Sequence, residues 1–177
     1  MNRILASTAL YFSLFFAGSA DRPPGLNLSC DPVYMQASPC DSIPALNQKI
    51  INLVSKQVGK TVDRGECWDL AALVLNQTGA KWDRRYAFGR KVDPAKDCIF
   101  PGDLIQFEGV KIEYTQGRRV YTETMTHHTA IIYEVKTKQI FVLAHQNTAT
   151  SGRKVGLSDL DLRTIVKGKY QVYRPVR

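Results

Sequence analysis

The sequence predicts an α+β domain in which N-terminal helices pack on an antiparallel β-sheet. Apolar residues between positions 46 and 77 recur at the spacing of one helical face, whereas strand-like runs fill the chain from position 101 onwards. No internal repeat or low-complexity tract interrupts this division. Because the helices come first and the strands follow, the two kinds of element are expected to form separate layers.

Two helices are expected in the first half of the chain. The first covers residues 46–58 and the second residues 67–77, with Gly79 placed to end the second helix. The charged and aromatic residues 81–98 predict a long loop, and residues 136–138 predict a hairpin turn. The strand-like runs are residues 104–107, 111–114, 119–124, 128–135, 139–145 and 170–173.

The N-terminus has the composition of a secretory signal peptide over residues 1–20. Arg3 gives a positive start, residues 4–16 are apolar, and small residues follow. That apolar run is short for a membrane span, so export is favoured over a retained anchor. Residues 21–44 are then an extended lead-in and residues 45–177 the functional domain. The expected location of the mature protein is secreted or periplasmic.

Composition and charge limit the classes of partner. The chain has 177 residues, a hydrophobic fraction of 44% and a formal net charge of +8, which suits one globular domain. The charge suggests an anionic environment such as a cell envelope, but a basic soluble surface would explain it equally well. The basic residues are scattered, so a nucleic-acid partner is not expected. A monomer without a stable membrane span after signal cleavage is expected.

The four cysteines suggest at least one disulfide in an exported protein. Cys30 and Cys40 are close in the chain and are the natural pair. Four cysteines allow three connectivities, and Cys98 is left either as a buried free thiol or as the partner of Cys30 or Cys40. A bridge between Cys67 and Cys98 stays open at this point, and it would exclude a catalytic Cys67.

A cysteine and two histidines form a candidate catalytic set. Cys67 begins the second predicted helix, His128 opens a predicted strand, and His145 ends the next strand. The thiolate is the reactive form of cysteine, and a helix N-terminus together with an imidazolium favours it. The pattern therefore predicts a cysteine nucleophile with a histidine base, although a buried structural thiol is the alternative reading of Cys67.

These residues resemble those of the CHAP and NlpC-type cell-wall peptidases, compact members of the papain-like cysteine hydrolase superfamily. The resemblance is carried by Gly-Glu-Cys-Trp at residues 65–68, by Pro-Gly-Asp-Leu at residues 101–104, and by His128 with a polar residue one strand later. It implies a compact papain-like fold and a CHAP/NlpC-like catalytic domain without cofactor or metal. The implied substrate is peptidoglycan or another amide-containing polymer, cleaved through a thioester.

The resemblance implies that His145 is the third catalytic residue, and Asn147, two positions on, is the alternative. Neighbouring strand residues face opposite ways, so only one of His127 and His128 can enter the site. His128 is preferred because it matches the family position and because the small and apolar side chains on its face suit packing onto the nucleophile helix. These side chains belong to Ala130 and Ile132.

Other roles remain open for several residues. Trp68 and Trp82 could line a substrate groove, although aromatic residues at such positions are more often core residues. Cys67 and the three histidines could instead bind zinc, which would make the protein a metallohydrolase or give it a structural zinc site. The third possibility is a non-catalytic module that binds envelope glycan or peptide through its basic, aromatic surface.

Overall fold

Two helices precede a β-sheet in residues 40–177, the part of the chain that the computed structural model describes. Helix α1 spans Ala45–Ser55 and helix α2 spans Cys67–Thr78. Each helix buries one face, as the spacing of its apolar residues predicts. Gly79 adopts a left-handed conformation (φ 68°) and ends α2, in agreement with the sequence. The predicted signal peptide and most of the predicted lead-in lie outside the described residues.

Six antiparallel strands form one sheet in the order β1-β6-β2-β3-β4-β5. A 3₁₀ turn, Leu162–Thr164, joins the last two strands in the chain. Helices on an antiparallel sheet confirm the α+β prediction. The strands are β1 Arg90–Val92, β2 Leu104–Gln116, β3 Arg119–Val135, β4 Ile140–His145, β5 Gly156–Asp161 and β6 Ile165–Arg174.

The sheet buries both of its faces. One face packs against the two helices, where Val54 and Leu75 meet Ile131. The opposite face forms a second cluster that includes Ala130 and Ile132. The end strands β1 and β5 both contribute to this second cluster, so it extends along the whole strand order. The face shared by His128, Ala130 and Ile132 is therefore the one away from the helices, which corrects the reason given above for preferring His128.

Long strands replace some of the shorter predicted runs. The first four runs merge into β2 and β3, which pair from Leu104–Ile131 to Gln116–Arg119. The predicted hairpin turn at residues 136–138 is confirmed, because the N–H groups of Lys136 and Thr137 donate to the Ile140 carbonyl oxygen. Strands β1 and β5 were not predicted, since both are short and lack the alternation of apolar residues that marks a strand.

The disulfide joins Cys40 to Cys98, so the predicted pairing of Cys30 with Cys40 is wrong. Fifty-eight positions separate the bridged residues, and the bond ties the chain ahead of α1 to the segment that leads into β2. Cys30 was favoured because it is close to Cys40 in the sequence. That argument leaves out the path of the folded chain, which brings Cys98 next to Cys40. Cys67 is a free thiol, which removes the Cys67–Cys98 bridge that would have excluded catalysis.

Within residues 40–177, no helix is both long enough and apolar enough to span a membrane.

Candidate active site

Cys67 is the first residue of α2, and the start of this helix is held by its own side chains. The Glu66 side chain accepts the Asp69 N–H, and the Asp69 carboxylate accepts the Glu66 N–H at 3.0 Å, which forms a capping box. The Asp69 carboxylate is fully buried and also accepts a hydrogen bond of 2.7 Å from Arg64. The bonds to the Glu66 and Asp69 N–H groups thus fix the start of the helix and with it the position of the thiol.

The loop before α2 is fastened to the end of β4 by Gln146. This side chain is fully buried, and its Oε1 accepts the Val62 N–H at 3.1 Å. Its Nε2 donates to the carbonyl oxygens of Val62 at 3.0 Å and Glu66 at 2.7 Å. Gly65 lies between these anchors with φ 82°, and a Cβ atom there would lie 2.6 Å from Cβ of Arg153. The loop before α2 is therefore fixed in position relative to the end of β4.

His128, His145 and Ser158 form a continuous hydrogen-bonded chain across three strands. Nε2 of His128 lies 2.9 Å from Nδ1 of His145, and Nε2 of His145 lies 2.8 Å from Oγ of Ser158. Both imidazole rings are buried, with exposed fractions of 8% for His128 and 6% for His145. The remaining ring nitrogen of His128, Nδ1, has no partner among the described residues and is available to a reacting group.

The thiol approaches the histidine chain at the edge of β3. Pairing between β3 and β4 ends at Ile131, so the strand edge beyond it is open within residues 40–177. The Thr129 backbone N–H at this edge acts on the Cys67 thiol and opposes the rise of its pKa. Cys67 and His128 line one cavity at this strand edge, although α2 packs on one face of the sheet and the imidazole stacks on Phe107 of the opposite face.

A cavity of about 550 Å³ opens over these groups. Its lining includes Cys67, His128, His145 and Ser158. The remaining walls come from Glu66, from residues 122–127 of β3, and from the loop at residues 147–150. Thr side chains are frequent in these walls, so the cavity offers hydroxyl groups to a substrate beside the thiol and the imidazoles.

Burial sets the protonation states of the site. It raises the pKa of the Cys67 thiol, and the charge of Glu66 adds to the rise, while N–H groups of Thr129 and Trp68 act against it. Burial lowers the pKa of His128 to about 4 and that of His145 to about 3, since each imidazolium would lose its hydration. The resting site is a neutral thiol beside neutral imidazoles, not the thiolate that the helix N-terminus was expected to favour.

The remaining candidate residues have other contacts. His127 is partly exposed, lies 2.8 Å from the Glu108 carboxylate through Nδ1, and packs edge-on against Tyr86. Asn147 donates to the Glu66 carboxylate at 2.7 Å, so it lines the cavity but is bonded to the helix cap and not to His128. His145 is the residue bonded to His128.

The two tryptophans pack against the helix-side core and do not border the cavity that holds Cys67, which favours the core role over a place in a substrate groove. Trp68 stacks at a tilt on Trp82, with ring centroids 5.4 Å apart, and Trp82 stacks on Phe88. Neither indole borders the cavity that holds Cys67. Their role is in the packing of α2 against the loop that follows it.

The zinc alternative lacks a ligand set. Within residues 40–177, no group of three or more His, Cys, Asp and Glu side chains is arranged to hold a metal ion. The His127 side chain is bonded to Glu108, and it borders the same cavity as His128, so the expectation that only one of these neighbouring histidines enters the site is wrong. The two remaining histidines are hydrogen-bonded to each other.

Two residues of the site were missed from the sequence. Ser158 lies on β5, a strand that carries no alternating pattern, so nothing in the sequence marked it. Gln146 could not be assigned a role from the sequence, because its bonds to the loop before α2 depend on tertiary contacts over about 80 positions. By contrast, the three-residue spacing of Glu66 and Asp69 is a local signal that could have identified the capping box.

Comparison with known proteins places this geometry in context. Residues 44–177 match the model of a family described as the AIM3/BBC1 Cysteine proteinase-fold domain. The chain is similar to the crystal structure of Ly7917, with a TM-score of 0.42 and 16% identity over 74% of this chain and 63% of that chain. It is also similar to the crystal structure of Ly7917 with the hydrolyzing product of MDP, with a TM-score of 0.45 and 16% identity over 73% and 62% of the two chains. This chain thus spans less than two thirds of those structures. No curated protein matches it.

Proposed function

The chain belongs to the AIM3/BBC1 Cysteine proteinase-fold domain family, and from this premise we propose that it is a cysteine-dependent hydrolase of amide bonds. The observation that carries the proposal is the cavity in which a free thiol, Cys67, lies beside the hydrogen-bonded pair of His128 and His145. A nucleophile, a base and a residue that orients the base are the three parts that covalent amide hydrolysis requires.

In the first half of the reaction, Cys67 attacks the amide carbonyl carbon while Nδ1 of His128 takes the thiol proton. The tetrahedral intermediate collapses to a thioester when the C–N bond breaks and His128 returns the proton to the leaving amine. In the second half, His128 removes a proton from water, the hydroxide attacks the thioester carbonyl, and the thiol leaves with that proton. His145 orients the His128 ring through Nε2 throughout.

Because the thiol is neutral in the resting site, Cys67 becomes a strong nucleophile only when its proton is transferred. A thiol with a raised pKa is a weak nucleophile at neutral pH, so its proton must leave as the new bond forms. The lowered pKa of His128 keeps its ring free of a second proton and able to act as a base across the neutral range. The backbone N–H of Cys67, at the first position of a helix, supports the developing oxyanion.

The substrate proposed is an amide-containing polymer, and the resemblance to CHAP and NlpC-type enzymes favours peptidoglycan. A secreted or periplasmic location agrees with the Cys40–Cys98 disulfide, since such bonds persist in oxidising compartments. The formal charge of +8 would favour binding to an anionic cell envelope.

The test is hydrolysis of purified peptidoglycan and of unfolded casein, measured as newly formed amino groups. Cys67→Ala and His128→Ala should each reduce the rate by at least about 1,000-fold, because both take part in every bond-making step. His145→Ala should cost about 100-fold and Asn147→Ala less than tenfold, because His145 orients the base. Urea unfolding of each variant shows whether the fold is intact.

Three results would contradict the proposal. Hydrolysis that persists in folded Cys67→Ala would remove the nucleophile from the mechanism. Wild-type protein that binds peptidoglycan without releasing amino groups would be a non-catalytic module. An equal loss in Asn147→Ala and His145→Ala would contradict the assignment of His145 as the residue that orients the base.

A further inference from the structure

Either of the two buried histidines can donate in the hydrogen bond between them, and only one of these two arrangements permits catalysis. Both rings are neutral, so each carries one proton, and one ring donates in the 2.9 Å bond between Nε2 of His128 and Nδ1 of His145. If His128 donates, its Nδ1 keeps a lone pair that can take the thiol proton. If His145 donates, His128 must carry its own proton on Nδ1 and cannot act as the base towards Cys67.

Ser158 is bonded to the only other nitrogen of His145. Its Oγ lies 2.8 Å from Nε2 of that ring, on the side opposite to His128. When His128 donates to Nδ1, the proton of His145 is on Nε2 and Ser158 accepts it. When the direction is reversed, Ser158 must donate instead. The His145 ring therefore couples the direction of its hydrogen bond with Ser158 to the ability of His128 to act as a base.

The surroundings favour the arrangement in which Ser158 accepts. Ser158 is half-buried and borders the cavity, so its hydroxyl hydrogen can point to water while its oxygen faces the buried ring. At the other end of the hydrogen-bonded chain, Cys67 lines the same cavity as His128, whose Nδ1 has no partner among the described residues. A neutral thiol can pass its proton to Nδ1 only if that nitrogen carries a lone pair.

We propose that Ser158 is a fourth, positioning member of the site, which holds His145 with its proton on Nε2 and thereby keeps Nδ1 of His128 free for the Cys67 proton. The inference rests on the proposed function, since it assigns His128 the role of base. It extends that function from three residues to four, over three neighbouring strands.

The first experiment reads the tautomers directly, without a substrate. Nitrogen-15 NMR of histidine side chains in the full chain should show His128 and His145 both protonated on Nε2 at pH 7. In Ser158→Ala the His145 signal should change to a mixture of tautomers, because the buried Nε2–H has lost its acceptor. Ser158→Thr, which keeps the hydroxyl, should retain the wild-type pattern. His127 is the internal control and should not change.

The second experiment measures turnover on whichever of purified peptidoglycan and unfolded casein the wild-type protein hydrolyses. Ser158→Ala should lower kcat about tenfold with KM unchanged, and Ser158→Thr should recover most of that loss, since Ser158 acts through His145 and not on the substrate. His128 protonated on Nδ1 in the wild-type protein, or a Ser158→Ala variant with unchanged tautomers and kcat, would overturn the inference. The correct tautomers in a protein that hydrolyses no amide would instead refute the proposed function alone.

Discussion

At the scale of single residues, burial acts on Cys67 and His128 in opposite directions. It raises the pKa of the thiol and lowers the pKa of the imidazole to about 4, because each charged form loses hydration in the site. Both shifts favour the neutral pair over a thiolate–imidazolium pair. The charge of Glu66, at the N-cap of the same helix, favours the neutral thiol further.

This balance predicts that Cys67 carries no thiolate at neutral pH. The ultraviolet thiolate absorbance, taken as wild type minus Cys67→Ala, should be absent between pH 5 and 8 and should appear only above about pH 9. Turnover should fall on the acid side near pH 4, because only below that pKa does His128 gain a proton and cease to be a base. A thiolate signal at pH 6 would show an ion pair and contradict the proposed activation.

At the scale of elements, the nucleophile helix and strand β4 are joined through one side chain. Gln146 makes three hydrogen bonds to Val62 and Glu66, and it directly follows His145 in the chain. The adjacent residues His145 and Gln146 therefore position both a histidine of the site and the loop before Cys67. Correct placement of the thiol depends on this contact as well as on the helix cap.

Replacement of Gln146 should both destabilise the fold and slow the reaction. Gln146→Leu fills a similar volume but leaves a buried N–H and two carbonyl oxygens without partners, at a cost of about 3 kcal/mol in the free energy of unfolding. Urea unfolding measures this loss, and Gln139→Leu on the exposed turn is the matched control. Wild-type stability in Gln146→Leu would show that water replaces the side chain without loss.

The sequence predicted those elements and site residues that have a local signature. Helical periodicity located α1 and α2 within a few residues, and the start of α2 placed Cys67 correctly. His128 was selected partly for a wrong reason, because alternation along a strand does not tell which face meets the helices when both faces are buried. Ser158 could not be predicted, since its position depends on the pairing of β5 with β4.

At the scale of the whole molecule, the pairing of cysteines depends on the path of the chain through the fold. The 58-residue separation of Cys40 and Cys98 encloses both helices and the long loop that contains β1. Closing a loop of this length restricts the unfolded chain strongly, and the expected stabilisation is about 4 kcal/mol. The bond lies outside the cavity that holds Cys67, so we expect it to affect stability and not the proposed reaction.

Disulfide mapping and a mutant cycle test this assignment together. Chymotrypsin cleaves after Tyr34, between Cys30 and Cys40, so unreduced digestion should yield a peptide with Cys40 linked to Cys98. Cys40→Ala, Cys98→Ala and the double variant should lose the same stability in urea, because removal of either sulfur opens the same loop. Cys30→Ala should lose none of it. Additive losses from Cys40→Ala and Cys98→Ala, or a Cys30–Cys40 peptide, would contradict the bridge. Equal losses with an unchanged hydrolysis rate would show that the bridge stabilises the domain without affecting its chemistry.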